Sequence, residues 1–152
     1  MITNFSYEAL RNFCRKIYGD IPLLLTPTTY QFPFGTLLAS QQITQSVQIN
    51  ANCDFILLGL RFNGNVSTGA EASVLQITDS SNSNTLFNVP IPVQVPGGFA
   101  LVGNDNGASF HYPYWVGANT GFIGQLTSVD PAADPLTNSV VDLVGFHVRE
   151  LI

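Results

Sequence analysis

The chain has 152 residues, a net charge of −5 and charged residues at only 10% of its positions. That length suits one domain, able to bury roughly 70% of its unfolded surface without help from disulfides. The acid excess argues against a nucleic-acid partner, because phosphate binding depends on Lys and Arg, and no apolar run approaches the roughly 18 residues of a membrane span.

Residues 4–18 read as an amphipathic helix. Phe5, Ala9, Phe13 and Ile17 recur every four positions, with Leu10 and Cys14 beside them. Asn4 or Ser6 can cap the start, Glu8 suits the positive end of the helix dipole, and Gly19 ends the pattern. Arg11, Arg15 and Lys16 take the opposite side, so residues 1–16 carry +2 while residues 17–152 carry −7. Such a helix either lies on its own sheet or docks on a partner; Phe5, Phe13, Arg11, Arg15 and Lys16 are the candidate docking residues.

Residues 21–34 hold Pro22, Pro27 and Pro33 among apolar side chains, the composition of an extended linker or edge strand. From Val47 the alternation is clean, with Val47, Ile49 and Ala51 on one face and Gln48, Asn50 and Asn52 on the other. Over 54–62, strict alternation puts Ile56, Leu58, Leu60 and Phe62 together. Phe55, Leu57, Gly59 and Arg61 then share the other face, giving a strand that is apolar on both sides. Strands at 74–78 and 86–89 flank the turn residues 79–84.

The run 110–116 contains Phe110, His111, Tyr112, Tyr114 and Trp115. Tyr112, Tyr114 and Trp115 are candidates for core packing, for a protein interface or for stacking on a sugar ring. A strand follows at 122–128, then a Pro-bounded loop at 129–138. A last strand covers 140–151, with Val144, Phe146 and Val148 expected to face inward. About eight short strands with no helix between them predict a mainly β chain: an antiparallel β-sandwich or jelly roll with a short N-terminal helix or arm. The expected division is a helix or docking arm over 1–20, an extended Pro-rich linker or edge strand over 21–46, and the sandwich over 47–152.

No catalytic residue, metal site or cofactor is expected. His111 and His147 have no carboxylate or second histidine at ligand spacing. Asp130 and Asp134 flank a proline turn rather than fill a calcium loop. Cys14 and Cys53 are expected as reduced thiols, with Cys53 packed. The first residues have neither a basic start nor an apolar core, so synthesis and retention in a cytoplasm are expected.

Soluble monomers carry about 25% charged residues. A body this poor in charge is expected to cover its apolar surface with a neighbouring subunit, as in a homo-oligomer such as a trimer. From Cys53 onward the order of segments resembles small virion structural proteins of tailed bacteriophages, of the capsid decoration or accessory type. The stretches that carry the resemblance are Asp54-Phe55-Ile56-Leu57, Val74-Leu75-Gln76-Ile77-Thr78-Asp79-Ser80 and Asn84-Thr85-Leu86-Phe87-Asn88-Val89-Pro90. Tyr112-Pro113-Tyr114 then precedes the strand at 122–127, and a last strand covers 140–149. The resemblance implies a β-sandwich without catalysis, made in the host cytoplasm and built into a virion beside itself and the major capsid or other virion proteins. The competing expectation is a tail, baseplate or fibre-tip component that binds glycan.

Overall fold

The computed structural model describes residues 7–66, 70–87, 90–96, 100–101, 107–129 and 135–151. Among the described residues a helix, α1 (Tyr7–Tyr18), precedes ten strands. These are β1 (Leu23–Leu37), β2 (Gln42–Gln48), β3 (Asp54–Val66), β4 (Ala70–Asp79), β5 (Asn84–Thr85), β6 (Ile91–Pro96), β7 (Ala100–Leu101), β8 (Gly107–Val116), β9 (Gly121–Ser128) and β10 (Leu136–Glu150). No described helix is long and apolar enough to cross a membrane.

The strands form two antiparallel sheets. The first has the order β1-β10-β3-β8, the second β2-β9-β4-β6-β7, with β5 added beside β4. The pairing is nested: β4 pairs with β6, β3 with β8, β2 with β9 and β1 with β10. A long hairpin rolled up in this way is a jelly roll, the double-sheet architecture of two Greek keys.

Between the sheets lies one apolar core. Phe32, Phe34, Phe55, Phe62 and Leu143 from the first sheet meet Leu75, Ile77, Phe122 and Leu126 from the second. Of the face expected from Val47 on, Val47 and Ile49 do meet this core, but the strand there is Gln42–Gln48 and Ala51 is exposed in the turn beyond it. The turn at 79–84 also forms as expected and returns into β5.

Three sequence expectations are corrected. For residues 21–46 the edge-strand alternative is the one seen, and because β1 pairs with β10 over its whole length the sheets begin at Leu23 rather than at residue 47. Pro27 and Pro33 are tolerated there since β1 is a sheet edge and one side of its backbone has no ladder to supply.

The second correction concerns β3, which does not keep one alternation. Its register slips between Leu57 and Gly59. Phe55 and Leu57 point into the sandwich, Ile56 and Leu58 point out, and beyond the slip Leu60 and Phe62 point in. A bulge adds one residue, and with a side-chain period of 2 one residue exchanges the faces.

The third correction is that β10 is inside out relative to the expectation. Val141 and Leu143 enter the core, whereas Phe146 and Val148 belong to a second cluster on the outer face, and Val144 is half-buried. The register slips between Thr137 and Val140, where Asn138 has φ 52°. Further along, a Cβ on Gly145 would lie 1.9 Å from the backbone oxygen of Ile56. Only glycine lets the two strands approach so closely.

On the outer face of the first sheet, the register aligns Gln31, Asp142 and Arg61 in one row. The buried Asp142 carboxylate accepts from Gln31 Nε2 at 2.9 Å and from Arg61 Nε at 2.7 Å. A buried charge needs such partners, so the row fixes the register of three strands at once.

Candidate functional site: the N-terminal helix and the outer face beneath it

Helix α1 lies on the outer face of its own sheet. Leu10 and Cys14 are buried against Ile56, Leu58 and Val148, with Phe13, Tyr18, Leu23, Leu25 and Phe146 packed around them. The buried stripe is therefore Leu10, Cys14 and Tyr18, four apart. It is one residue out of phase with the expected Phe5, Ala9, Phe13 and Ile17. Ala9 and Ile17 are exposed and Phe13 is half-buried, while Phe5 and the expected caps Asn4 and Ser6 lie outside the described residues. Gly19 ends the helix with φ 70°, donating its N–H to Arg15 O at 2.9 Å, a left-handed C-cap.

A hydrogen-bonded chain fastens the end of the helix. Tyr18 Oη donates to Asp54 Oδ2 at 2.6 Å and accepts from Trp115 Nε1 at 2.7 Å; Asp54 Oδ1 accepts from the Ala118 N–H at 2.8 Å. Burial, and then the bond to Asp54, push the Tyr18 phenol far above its ordinary range. It stays protonated and keeps donating. Sequence reasoning missed both Tyr18 and Asp54. The spacing of Leu10, Cys14 and Tyr18 was a usable signal for Tyr18, but nothing local points to Asp54.

The exposed side of α1 carries Arg11, Arg15 and Lys16, with Tyr7 77% and Ile17 39% exposed. Three of the five basic residues thus lie on one short helix over an otherwise acidic chain. A groove of about 260 Å³ runs between α1 and the start of β1, floored by Leu10, Cys14 and Leu23 and edged by Arg11, Arg15 and Ile21. Burial pushes the Cys14 thiol up, which keeps it protonated. Cys14 and Cys53 are both free and buried.

The aromatic run does not make one platform. Tyr114 points inward, where its hydroxyl donates to the buried Asp79 at 2.8 Å and its ring lies 6.4 Å from Phe122. Asp79 also accepts from the Ser81 N–H and hydroxyl. Trp115 points outward, 40% exposed, beside the end of α1. Tyr112 and His111 lie on β8 by their backbone. Asp130 and Asp134 lie outside the described residues.

His147 is on the inward face, edge-on to Tyr30 and Phe55. Tyr30 Oη accepts from the Asn50 N–H at 3.0 Å, so its proton is free for His147 Nε2. Burial, followed by the Arg149 charge, holds this imidazole below its ordinary range, in keeping with a neutral acceptor. The unfolded chain therefore takes up a proton first as pH falls through about 6.5. The stabilising contribution is whole above that pH and is lost below it. The expected result is a melting temperature that drops as pH falls below about 6.5, and drops less in His147→Gln. Scanning calorimetry across that range checks it; equal slopes in the two proteins would show that His147 does not titrate there.

Among the described residues no group of three His, Cys, Asp or Glu side chains could hold a metal ion. No protein-family model matches the chain, and no curated protein matches it. Among solved structures, it is similar to the infectious bursal disease virus VP2 subviral particle at 14% identity and a TM-score of 0.33. That match covers 86% of this chain and 42% of the other. A structure of the Gx strain of the same virus matches at 14% identity and a TM-score of 0.23, over 86% of this chain and 40% of that one. The chain thus spans less than half the length of either. The jelly-roll assignment rests on the strand order and is independent of these matches.

Proposed function

We propose that the chain is a non-enzymatic structural component of a virus particle: a decoration or accessory protein of a tailed bacteriophage that oligomerises and docks on the shell. The observation that carries this reading is the nested jelly-roll pairing of a chain with charge at only 10% of its positions. Viral capsid proteins and lectins share that architecture, so the argument is one of fold-level analogy. The basic helix supports it as well, since it offers a compact positive patch to an acidic neighbour. The virion is then the site of action. Imaging of purified particles tests the reading directly, by density for the jelly roll on the shell, on the tail or on neither.

The docking element in this reading is the exposed side of α1. Arg11→Glu with Arg15→Glu is expected to weaken co-sedimentation with particles about tenfold, and 1 M salt is expected to mimic it. Exposed ion pairs contribute about 0–1 kcal/mol each, so the double change is the informative one. Screening shortens to about 3 Å at that salt, which erases a surface charge contact and spares an apolar one. Binding that survives both treatments would move docking from the arginines to Tyr7, Phe13 and Ile17.

A further inference from the structure

We infer that β2 is a pairing edge, and that two copies of the chain join there, antiparallel about a two-fold axis through Gln45, into one continuous sheet. The inference rests on the reading of the chain as an assembly subunit and names the surface. The outer apolar face of β3 is not free for this contact, because α1 covers it through Ile56 and Leu58.

Sheet edges expose unpaired N–H and C=O groups, and proteins blunt them with proline, charge, bulges or short strands. Among the described residues, three of the four edges at the ends of the two sheets are blunted. β1 holds Pro27 and Pro33, and its register slips at Gly35. β8 holds Pro113, and its pairing with β3 is irregular. β7 has two described residues. By contrast, β2 is seven residues long, Gln42–Gln48, with no proline, no charge and no register slip against β9.

The phase of its hydrogen bonds is fixed at both ends. The Ser128 N–H donates to Gln41 O at 2.9 Å, and the Ile49 N–H donates to Thr120 O at 2.7 Å. Odd-numbered residues therefore bond to β9, and the backbone groups of Gln42, Thr44, Ser46 and Gln48 face the free edge.

The sequence of this edge reads nearly the same in both directions. Centred on Gln45, antiparallel pairing sets Gln42 against Gln48, Ile43 against Val47 and Thr44 against Ser46. The first and last of these are the positions whose N–H and C=O point outward, so they become the hydrogen-bonded pairs. Amide faces amide, hydroxyl faces hydroxyl, and the β-branched pair falls on the inward side. Directly opposed pairs of this kind are what stabilises one strand against the next. Every contact recurs by symmetry, as an isologous interface requires. An edge without charge also lets two copies of an acidic protein meet without like-charge repulsion. The two-fold gives dimers or even-numbered assemblies in place of the trimer expected from composition.

Sedimentation velocity of the intact chain tests this between roughly 1 and 100 μM. The expected result is a concentration-dependent shift from monomer to dimer. Thr44→Lys with Ser46→Lys sets lysines directly opposite across the axis and is expected to abolish the dimer. Thr44→Glu with Ser46→Glu should do the same, and mixing the two variants should restore a heterodimer. Both changes lie on exposed positions, and circular dichroism confirms the fold. As a second readout, Gln45→Cys should cross-link two copies on oxidation, while Thr44→Cys should not. A monomer at every concentration, or a dimer indifferent to both charged variants, overturns the pairing. Particles that still incorporate the lysine variant at wild-type level would leave the virion reading standing and remove the edge from it.

Discussion

Leu143→Asp is expected to abolish soluble folded protein, whereas Val144→Asp, one residue along, is expected to give a folded protein with a lowered melting temperature. Leu143 is fully buried in the core between the sheets, opposite Leu60 of β3. A carboxylate there has no partner, and its burial costs more than about 4 kcal/mol against a typical total stability of about 5–15 kcal/mol. Val144 sits on the outer face, half-buried, beyond the cluster that α1 covers. The alternation read from sequence predicts the reverse order, so the pair of variants reports directly which face of β10 is inside. Soluble yield and the circular dichroism of the two proteins decide it; a folded Leu143→Asp would put β10 back in the orientation read from sequence.

That inversion shows where the sequence was legible and where it was not. Val47 and Ile49 were readable as one face because β2 carries no bulge, although the strand ends at Gln48 and Ala51 does not continue it. The turn at 79–84 was readable from its local chemistry, and Gly19 from the left-handed cap that only glycine adopts easily. The slips at Leu58 and Asn138 were not. Each depends on how a strand meets a partner far along the chain, and each exchanges the faces of everything beyond it. The site followed the same rule. Arg11, Arg15 and Lys16 stood out by composition. The chain from Trp115 through Tyr18 to Asp54 joins residues 97 and 36 positions apart. No local pattern encodes such a contact. The nested pairing also lies between distant strands, although two stretches of alternation already implied two buried faces.

Deleting residues 1–18 is expected to leave a folded sandwich that aggregates. The two apolar clusters are separate: the core between the sheets contains no residue of α1, so its packing survives the loss. The second cluster does not survive. Ile56 and Leu58 lie beneath Leu10 and Cys14, and Phe146 and Val148 lie beside them. Removing the helix opens this patch to water, at about 1.5–3 kcal/mol for each large side chain fully uncovered, an upper estimate given residual structure in the unfolded chain. Asp54 also loses Tyr18, although it keeps the Ala118 N–H. A contiguous exposed apolar patch of this kind drives association. The measurements are circular dichroism for the sheets, dye binding for the patch, and light scattering for its consequence. Leu10→Glu in the full chain should reproduce a milder form, because it lifts the helix while leaving it covalently near. A truncated chain that is folded, no more associated than the full chain and silent to the dye would show that α1 is a free arm and not a lid. A truncated chain with no sheet signal would show that the two clusters fold as one.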